Sequence, residues 1–315
     1  MAGEDALPVF SLSSLGFGFS SASSPPPPPP PPCVEVLPSE VSASLSSPLE
    51  SIPINDKLSL LKGRVNTGDV FAMPNSDLVP GKYEGGLKLW EGSVDLVNSL
   101  CSEVQGGRLS LLGKRVLELG CGHGLPGVYA CLEGAAAVDF QDFNAEVLRC
   151  LTIRNVEHNL RKGRPRLPEG NPQNEGAQQV RFFAGDWREV HRLLLRRADD
   201  GGGRHLPGEA SSEEHGSLSS SSSSRCYHVI LMAETMYSLS SLGNLYDVIK
   251  KCLRRQTGVV YMAGKKHYFG VGGGTRQFLR LIDEDGVMEG SLLAEIADGS
   301  SNVREVWKIS FKSPA

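Results

Sequence analysis

Glycines and acidic residues near the middle of the chain have the spacing of a site for a nucleotide-like ligand. An apolar run at 116–119 leads through Gly120, Gly122 and Gly124 into a second apolar stretch at 128–132. The first run predicts a buried strand and the second a helix. Because glycine has no Cβ, backbone in the turn can approach a ligand closely. A strand, a glycine-rich turn and a helix N-terminus together form a cradle for such a ligand.

Two carboxylates accompany this turn. Asp142 follows the glycines by about 20 residues and ends another apolar run, where a carboxylate can accept hydrogen bonds from two ribose hydroxyls. Glu118, two positions before Gly120, adds an acid at the end of the first strand, suited to the amino group of a ligand.

The motif fits more than one kind of site. Residues 122–127 match the G-x-G-x-x-G fingerprint of dinucleotide sites, in which a helix N-terminus faces a pyrophosphate. Residues 118–124 instead resemble the E/D-x-G-x-G-x-G motif of S-adenosylmethionine methyltransferases, whose ligand has no phosphate. A glycine-rich turn without a ligand is a third interpretation. The glycines alone do not decide between these.

Composition narrows the class of protein. The chain has 315 residues, a net charge of −4 and 40% hydrophobic residues. This balance supports a folded core and predicts no direct nucleic-acid binding. No apolar run is long enough to span a bilayer, so we expect no membrane association. Seven scattered cysteines without a Cys-x-x-Cys pair predict no metal site and favour a reducing compartment, the cytoplasm, the nucleus or both. We expect a monomer.

Low-complexity segments suggest the domain boundaries. Residues 1–51 are rich in Ser and Pro, include an unbroken proline run at 25–32, and are predicted to be a disordered tail. Residues 198–225 are predicted to be a low-complexity insertion. The remainder, 52–315, is predicted to be one domain with a leading segment at 52–93.

The elements that must position these residues alternate between strand and helix, which predicts a parallel sheet covered on both faces. Strands are predicted at 116–119, 136–141, 179–184, 227–233 and 258–263, helices at 144–160, 239–253 and 275–283, and a final antiparallel pair at 291–296 and 303–311. Ligands of such sheets bind beyond the carboxyl ends of the strands. Asp142, Asp186, Glu234 and the loop 265–274 all follow strands at that edge, so we expect them to meet in one cleft.

Two tryptophans lie near the predicted cleft. Asp186 and Trp187 follow the third strand, where an acid and an indole can bracket an adenine, although Asp186 also suits the N-cap of the next helix. Trp90 suits a lid over the ligand or a place in the core.

In combination, these residues resemble the protein-histidine N-methyltransferase family, a seven-strand group whose known substrate class is a large-subunit ribosomal protein. The resemblance extends over residues 76–312. It rests on the glycine motif and on these segments: Ser-Asp-Leu at 76–78 with Pro80, Tyr-Glu-Gly-Gly-Leu-Lys-Leu-Trp-Glu at 83–91, Phe-Gln-Asp-Phe-Asn at 140–144, Gly-Asp-Trp at 185–187, Ala-Glu-Thr-Met-Tyr at 233–237 and His-Tyr-Phe-Gly-Val-Gly-Gly-Gly at 267–274. Many methyltransferases share the glycine motif, whereas the segments at 85–91, 141–144 and 268–274 are much more specific in combination.

The resemblance implies an α/β fold with a Rossmann-like seven-stranded methyltransferase sheet, mostly parallel with one antiparallel strand, and helices on both faces. It implies S-adenosyl-L-methionine as the cofactor and a ribosomal protein of the large subunit as the partner. The residues expected to contact the cofactor are Leu89, Trp90, Glu91, Gly92, Ser93, Gly120, Gln141, Asp142, Phe143, Gly185, Asp186, Trp187 and Ala233, together with Glu118, Gly122 and Gly124 of the glycine motif. Family members usually have a small hydroxyl residue in place of Ala233, so no side-chain hydrogen bond is expected there.

The implied reaction is an in-line displacement at a sulfonium methyl group, in which positioning of the acceptor is the main task of the protein. Histidine suits this role because its pKa of about 6.5 leaves a neutral nitrogen at pH 7, whereas a lysine must first lose a proton. Glu234 is the candidate for holding the second ring nitrogen, unless it caps a helix. Tyr237, also assigned a catalytic role, Tyr268 and Phe269 are expected to line the acceptor channel or to pack in the core.

Other functions stay open at this point. A protein-lysine methyltransferase of the same fold would share the glycine motif and the segment 234–237. A nicotinamide-dependent oxidoreductase would use residues 122–127, but no second set of residues for hydride transfer is present in the sequence. A non-catalytic interaction module would keep the fold and lose affinity for the ligand.

Overall fold

A computed structural model describes residues 29–41, 48–74, 76–163, 178–196, 225–297, 299 and 302–313. Its strands are β1 (Val34–Val36), β2 (Glu50–Asn55), β3 (Leu58–Lys62), β4 (Arg115–Leu119), β5 (Ala137–Asp142), β6 (Gln179–Ala184), β7 (Val229–Ala233), β8 (Val259–Lys265), β9 (Met288–Ile296) and β10 (Arg304–Phe311). Its helices are α1 (Thr67–Phe71), α2 (Glu91–Gln105), α3 (Leu125–Leu132), α4 (Ala145–Val147), α5 (Ile153–Gly163), α6 (Trp187–Leu194), α7 (Leu242–Cys252) and α8 (Thr275–Asp285). The predicted insertion at 198–225 lies outside the described residues, except for Arg225.

An eight-stranded sheet with the order β1-β6-β5-β4-β7-β8-β10-β9 forms the centre of the molecule. Five neighbouring strands are parallel, in the order β6, β5, β4, β7 and β8. β10 lies between β8 and β9 and is antiparallel to both. The predicted α/β fold is confirmed, because seven of the strands form a mostly parallel sheet in which only β10 is reversed. β1 adds an eighth strand at one edge.

The structure differs from the prediction at β1, which lies in the segment expected to be disordered. Val34 and Val36 pair antiparallel with Ala184 and Phe182 of β6, and the Val36 side chain is only 1% exposed. The Ser/Pro-rich composition around β1 concealed a short Val-Glu-Val alternation, which suits the edge of a sheet. The domain boundary near residue 52 otherwise stays a prediction.

The helices cover both faces of the sheet. On one face α2, α3 and α5 contribute Leu96, Leu100, Val128, Ile153 and Val156 to a buried cluster. On the other face α6, α7 and α8 bury Leu194, Leu245, Ile249, Phe278 and Ile282. Both layers leave the carboxyl ends of the parallel strands accessible.

The leading segment is tied to the end of β5 through Asn144. This residue precedes α4, but its side chain does not cap that helix. Instead, its Oδ1 accepts a hydrogen bond from the Glu84 N–H at 3.1 Å, and its Nδ2 donates to the Lys82 carbonyl at 2.9 Å. The helix predicted at 144–160 begins as α4, passes through a π-helical turn at Leu148–Thr152 and continues as α5.

Within the ranges described above, no helix is long and apolar enough to cross a membrane. The same residues contain no group of three or more His, Cys, Asp or Glu side chains placed to hold a metal ion.

Candidate active site

A cleft of about 290 Å³ opens at the carboxyl ends of β4, β5, β6 and β7. Most of the residues singled out in the sequence line it, namely Leu89, Trp90, Ser93, Gly120, Gly122, Asp142, Phe143, Gly185, Asp186, Trp187, Ala233, Glu234 and Tyr237. Glu91, Gly92, Glu118, Gly124 and Gln141 are not among its lining residues. The loop after β8 contributes Val271.

The glycine turn has a backbone that other residues adopt only with strain. Gly120, Gly122 and Gly124 have φ angles of 59°, 47° and 73°. A Cβ on Gly120 would lie 2.6 Å from Thr235 Cγ2, and one on Gly122 would lie 3.0 Å from the Gly86 carbonyl oxygen. Glycine is therefore required both by the conformation and by the close approach of neighbouring segments.

Glu118 lies behind the turn rather than on the cleft. Its Oε2 accepts a hydrogen bond from the N–H of Gly127, the third residue of α3, at 2.7 Å. Burial, together with repulsion from Asp142, raises the pKa of this carboxyl well above its usual range. In this structure Glu118 holds the N-terminus of α3, a contact that the sequence pattern did not predict.

Asp142 lies on the cleft with both carboxylate oxygens anchored. Oδ2 accepts from the Gly122 N–H at 2.9 Å, and Oδ1 accepts from the Asn144 N–H at 3.0 Å. Burial raises the pKa of Asp142 to about 6, with a contribution from the charge of Glu84, while the backbone N–H groups oppose the rise. A carboxylate has about four acceptor sites, so roughly two stay available for hydroxyl donors of a ligand.

Gln141 joins three loops from a fully buried position. Its Nε2 donates to the Gly185 carbonyl at 2.9 Å, and its Oε1 accepts from the Trp187 Nε1–H at 2.9 Å and the Gly120 N–H at 3.3 Å. These bonds fix the orientation of the indole ring and of the glycine turn. Gln141 therefore shapes the cleft wall without lining it.

Asp186 and Trp187 form the wall that follows β6. Asp186 is the N-cap of α6, because its Oδ1 accepts from the Arg188 N–H at 2.9 Å. Burial of Asp186 would raise its pKa, but hydrogen bonds from Arg188 outweigh burial and hold the pKa below its usual value. Asp186 thus caps the helix and also lines the cleft.

Glu234 is a non-glycine residue with a left-handed backbone, at a φ of 58°. Such a conformation costs about 1–3 kcal/mol and is often found at functional sites. The side chain is 7% exposed, its Oε1 accepts from the Gly92 N–H at 3.1 Å, and its Oε2 accepts from the Tyr268 hydroxyl. Burial raises the pKa of Glu234, although the Tyr268 hydrogen bond and the charge of Lys265 oppose this. Gly92 is the second residue of α2, so Glu234 caps a helix and faces the cleft at once.

Tyr237 donates its hydroxyl to Glu84, an acidic residue of the leading segment. The other carboxylate oxygen of Glu84 accepts from the Gly81 N–H at 2.7 Å. Burial and the neighbouring Glu84 charge raise the pKa of Tyr237, so its hydroxyl stays protonated at neutral pH. Glu84 also lines the cleft, but it was absent from the predicted site. Its place in the segment 83–91, directly before the paired glycines, is the sequence signal that marks it.

Trp90 lines the cleft, and its side chain is half-buried. This position suits a lid better than it suits a core residue. Its Nε1 donates to the Gly85 carbonyl at 3.0 Å, and the Lys88 Nζ lies 4.4 Å from the centre of the ring. The indole is therefore held in place at the edge of the cleft.

Two further lining residues, Thr235 and His123, were not predicted. The Thr235 Oγ1 is buried and has no hydrogen-bond partner within the part of the chain that the structure describes. The His123 Nε2 lies 3.1 Å from the Leu87 carbonyl oxygen, and burial lowers the pKa of His123 to about 4, so the ring is neutral at pH 7. Neither is distinguishable from a core residue in the sequence alone.

Several relatives found by sequence comparison are histidine protein methyltransferases, although no family model matches the chain. It is 37% identical over 240 residues to the histidine protein methyltransferase 1 homolog of Dictyostelium discoideum, covering 76% of this chain and 62% of that protein. It is 34% identical over 254 residues to the homolog from Mus musculus, covering 76% and 60%. It is 29% identical to histidine protein methyltransferase 1 of Schizosaccharomyces pombe, covering 78% and 68%. The chain spans about three fifths of the length of the first two relatives.

Solved structures show more distant likenesses. The ribosomal protein L11 methylase of Lactobacillus delbrueckii has 12% identity and a TM-score of 0.41, with 84% of this chain and 100% of that chain covered. The magnesium protoporphyrin IX methyltransferase of Synechocystis PCC 6803 has 10% identity and a TM-score of 0.40, with 70% and 79% covered. The sequence relatives are much closer. By sequence, the chain is therefore similar to these histidine protein methyltransferases over about three quarters of its own length.

Proposed function

We propose that the cleft binds S-adenosyl-L-methionine and that the protein transfers a methyl group to a histidine imidazole nitrogen of another protein. The observation that carries this proposal is the pair of buried carboxylates on one cleft, Asp142 and Glu234, each already anchored by a backbone N–H. One has the acceptor sites that ribose hydroxyls need. The other has the capacity to accept a hydrogen bond from an imidazole N–H.

The lining residues fit the proposed cofactor. Asp142 would hold the ribose hydroxyls, and the Trp187 ring, fixed by Gln141, would face the adenine. A Cβ on Gly120 would collide with Thr235, so this side of the cleft is kept open by glycine. When bound, S-adenosylmethionine supplies an electrophilic methyl group on its sulfonium.

The N-terminus of α3 argues against a dinucleotide. A pyrophosphate needs free N–H groups at a helix N-terminus. Here the Gly127 N–H is taken by Glu118, and Pro126, the residue before it, has no N–H to offer. A nicotinamide-dependent oxidoreductase is therefore disfavoured relative to a cofactor without phosphate.

The residues around Glu234 favour histidine as the acceptor. A neutral imidazole is nucleophilic at pH 7 without loss of a proton, provided that its second nitrogen is held. The Glu234 carboxylate, fixed by Gly92 and Tyr268, would accept the hydrogen bond from that N–H. A lysine acceptor would first have to give up a proton, and its rate would keep rising with pH well above neutrality.

We further propose that the substrate is a large-subunit ribosomal protein, on the strength of the family resemblance in the leading segment and in the loop 268–274. The cytoplasm, the nucleus or both would be the location of such a reaction. We also propose that the enzyme is a monomer.

The decisive experiment incubates the purified chain with labelled S-adenosylmethionine and the proteins of large ribosomal subunits. Intact-mass measurement and site mapping should find the label on a histidine, and Asp142→Ala should lose the signal. Label on a lysine would refute the acceptor. Calorimetric binding of NAD but not of S-adenosylhomocysteine would refute the cofactor, and binding of neither would favour a non-catalytic module.

A further inference from the structure

Three of the large hydrophobic side chains exposed on the described surface belong to two adjoining segments beside the cleft. These are Leu239, Phe269 and Val271, with 54%, 75% and 44% of their surface exposed, and we name them the apolar rim. Val271 itself lines the cleft. Leu239 lies on the adjoining segment, because a Cβ on Gly272 would be 3.0 Å from the Leu239 Cδ1. Exposed apolar groups that cluster in this way mark interaction surfaces.

The loop that carries the rim is held firmly by its backbone. The Tyr268 N–H donates to the Gly273 carbonyl at 2.9 Å, and the Gly272 N–H donates to the Tyr268 carbonyl at 2.9 Å. The N–H groups of Gly273 and Gly274 bond to the carbonyls of Tyr237 and Met236 at 3.0 and 2.8 Å. A loop with this much backbone bonding presents Phe269 to solvent in a defined position.

The rim is linked to the proposed acceptor site through Tyr268. This residue directly precedes Phe269 and donates its hydroxyl to Glu234. The rim follows β7 and β8, whereas the proposed cofactor contacts Asp142 and Trp187 follow β5 and β6, on the other side of β4. The rim therefore borders the acceptor half of the cleft.

The nearby charge of Lys266 is neutralised within the protein. Its Nζ lies 3.2 Å from a Glu295 carboxylate oxygen and 3.6 Å from one of the buried Glu305. Both partners lie on β9 and β10, so the Lys266 ammonium group is held against these two strands. The charge of Lys266 therefore adds little attraction for an acidic segment at the rim.

We infer that the apolar rim binds a protein segment in which an aromatic or large aliphatic side chain lies next to the acceptor histidine. This inference rests on the proposed function and specifies its substrate class. An apolar neighbour of the histidine would cover Phe269 and Leu239 while the imidazole reaches Glu234. The burial of such an anchor commonly changes affinity by about tenfold or more.

The test uses two short synthetic peptides that differ only in whether the residues beside a central histidine are tyrosine or serine. Affinity is measured by fluorescence anisotropy in the presence of S-adenosylhomocysteine, and KM and kcat are measured separately with S-adenosylmethionine. We expect the wild-type chain to bind the tyrosine peptide about tenfold more tightly and Phe269→Ser to remove most of that preference. The change should appear in KM rather than in kcat.

Leu112→Ser is the matched control, because Leu112 is 73% exposed but lies outside the cleft. It should preserve the preference, and all variants should keep the wild-type affinity for S-adenosylhomocysteine. Equal affinity of the wild-type chain for both peptides, or an unchanged preference in Phe269→Ser, would overturn the inference. Selective binding without methylation of either peptide would support the rim and count against the proposed histidine acceptor.

Discussion

The Glu234 carboxylate accepts a hydrogen bond from the backbone N–H of Gly92 at 3.1 Å, although the two residues are 142 positions apart in the sequence. One side chain thereby joins the end of β7 to the first turn of α2. The space between them is so small that a Cβ on Gly92 would lie 2.6 Å from the Glu234 Oε1. Any displacement of this helix end must therefore displace the carboxylate.

Gly92→Ala should slow methyl transfer by about 100-fold, because a shift of roughly 1 Å in a positioning group has an effect of that size. Calorimetry should show that the affinity for S-adenosylhomocysteine changes little. Gly243→Ala is the matched control, since nothing lies within 4 Å of a Cβ there. It should leave the rate unchanged and stabilise α7 by about 0.5–1 kcal/mol. A Gly92→Ala protein with the wild-type rate would contradict the positioning role of this contact.

Asp142→Ala should weaken binding of S-adenosylhomocysteine by one to two orders of magnitude. The lost hydrogen bonds to a charged group contribute roughly 1.5–3 kcal/mol each. The variant also leaves the Gly122 N–H without its acceptor, so circular dichroism must confirm that it is folded. Asp283→Ala, on the exposed side of α8, is the control and should bind normally. Unchanged affinity in a folded Asp142→Ala protein would rule out the ribose contact.

The raised pKa of Asp142 predicts a pH dependence of cofactor binding. The carboxylate, with a pKa of about 6 in the unliganded protein, becomes protonated as the pH falls through that value. Protonation removes acceptor capacity for hydroxyl donors, so the affinity for S-adenosylhomocysteine should be constant above pH 7 and fall below pH 6. Because the ligand favours the ionised form, binding should also lower this pKa. Calorimetry across pH 5–8 checks both points, and a flat profile would contradict them.

Glu234→Gln keeps the shape of the side chain and removes its charge, so it should slow transfer while sparing cofactor affinity. With a histidine acceptor, the wild-type rate should fall below pH 6.5, as the imidazole is protonated, and level off above it. Glu284→Gln, on the exposed surface of α8, serves as the control. Full activity of Glu234→Gln would refute the orienting role, and a rate that still rises beyond pH 8 would favour a lysine acceptor.

The contacts of β1 give an expectation for the N-terminal region. Removal of residues 1–41 should lower the free energy of unfolding by about 1.5–3 kcal/mol, since the buried Val36 is lost. Cofactor affinity should also fall, because Cys33 packs against Gly185 of the cleft wall. The packing is so close that a Cβ on Gly185 would lie 2.9 Å from the Cys33 Cβ. Removal of residues 1–28 is the control and should change neither property. Equal melting temperatures for both shortened proteins would show that β1 is dispensable.

Much of the fold was predictable from the sequence because buried parallel strands appear as short, continuous apolar runs. The glycine turn was predictable for a related reason, since Gly120, Gly122 and Gly124 occupy positions with positive φ that other residues avoid. The convergence of Asp142, Asp186 and Glu234 on one cleft followed from the rule that parallel strands end at the same edge.

The direction of buried polar side chains was not predictable in the same way. Glu118 turns toward the N-terminus of α3, and Gln141 bonds to three loop segments, because each buried polar group satisfies the nearest unpaired partners. Those partners come from segments distant in sequence. Local patterns also missed β1, since its pairing depends on β6. The binding roles assigned to individual residues stay predictions until a ligand is measured.

The pairing of β1 with β6 also has a consequence for the order in which the chain folds. Val34 pairs with Ala184, so at synthesis rates of about 5–20 residues per second the partner strand follows roughly 8–30 s later. The parallel strands β4 and β5 can associate before β6, the partner strand of β1, has been synthesised. Once β6 has joined them, its outer edge stays open to other chains until Val34–Val36 closes it. The short strand β1 thus covers part of an edge of β6 that would otherwise be free to pair with another chain.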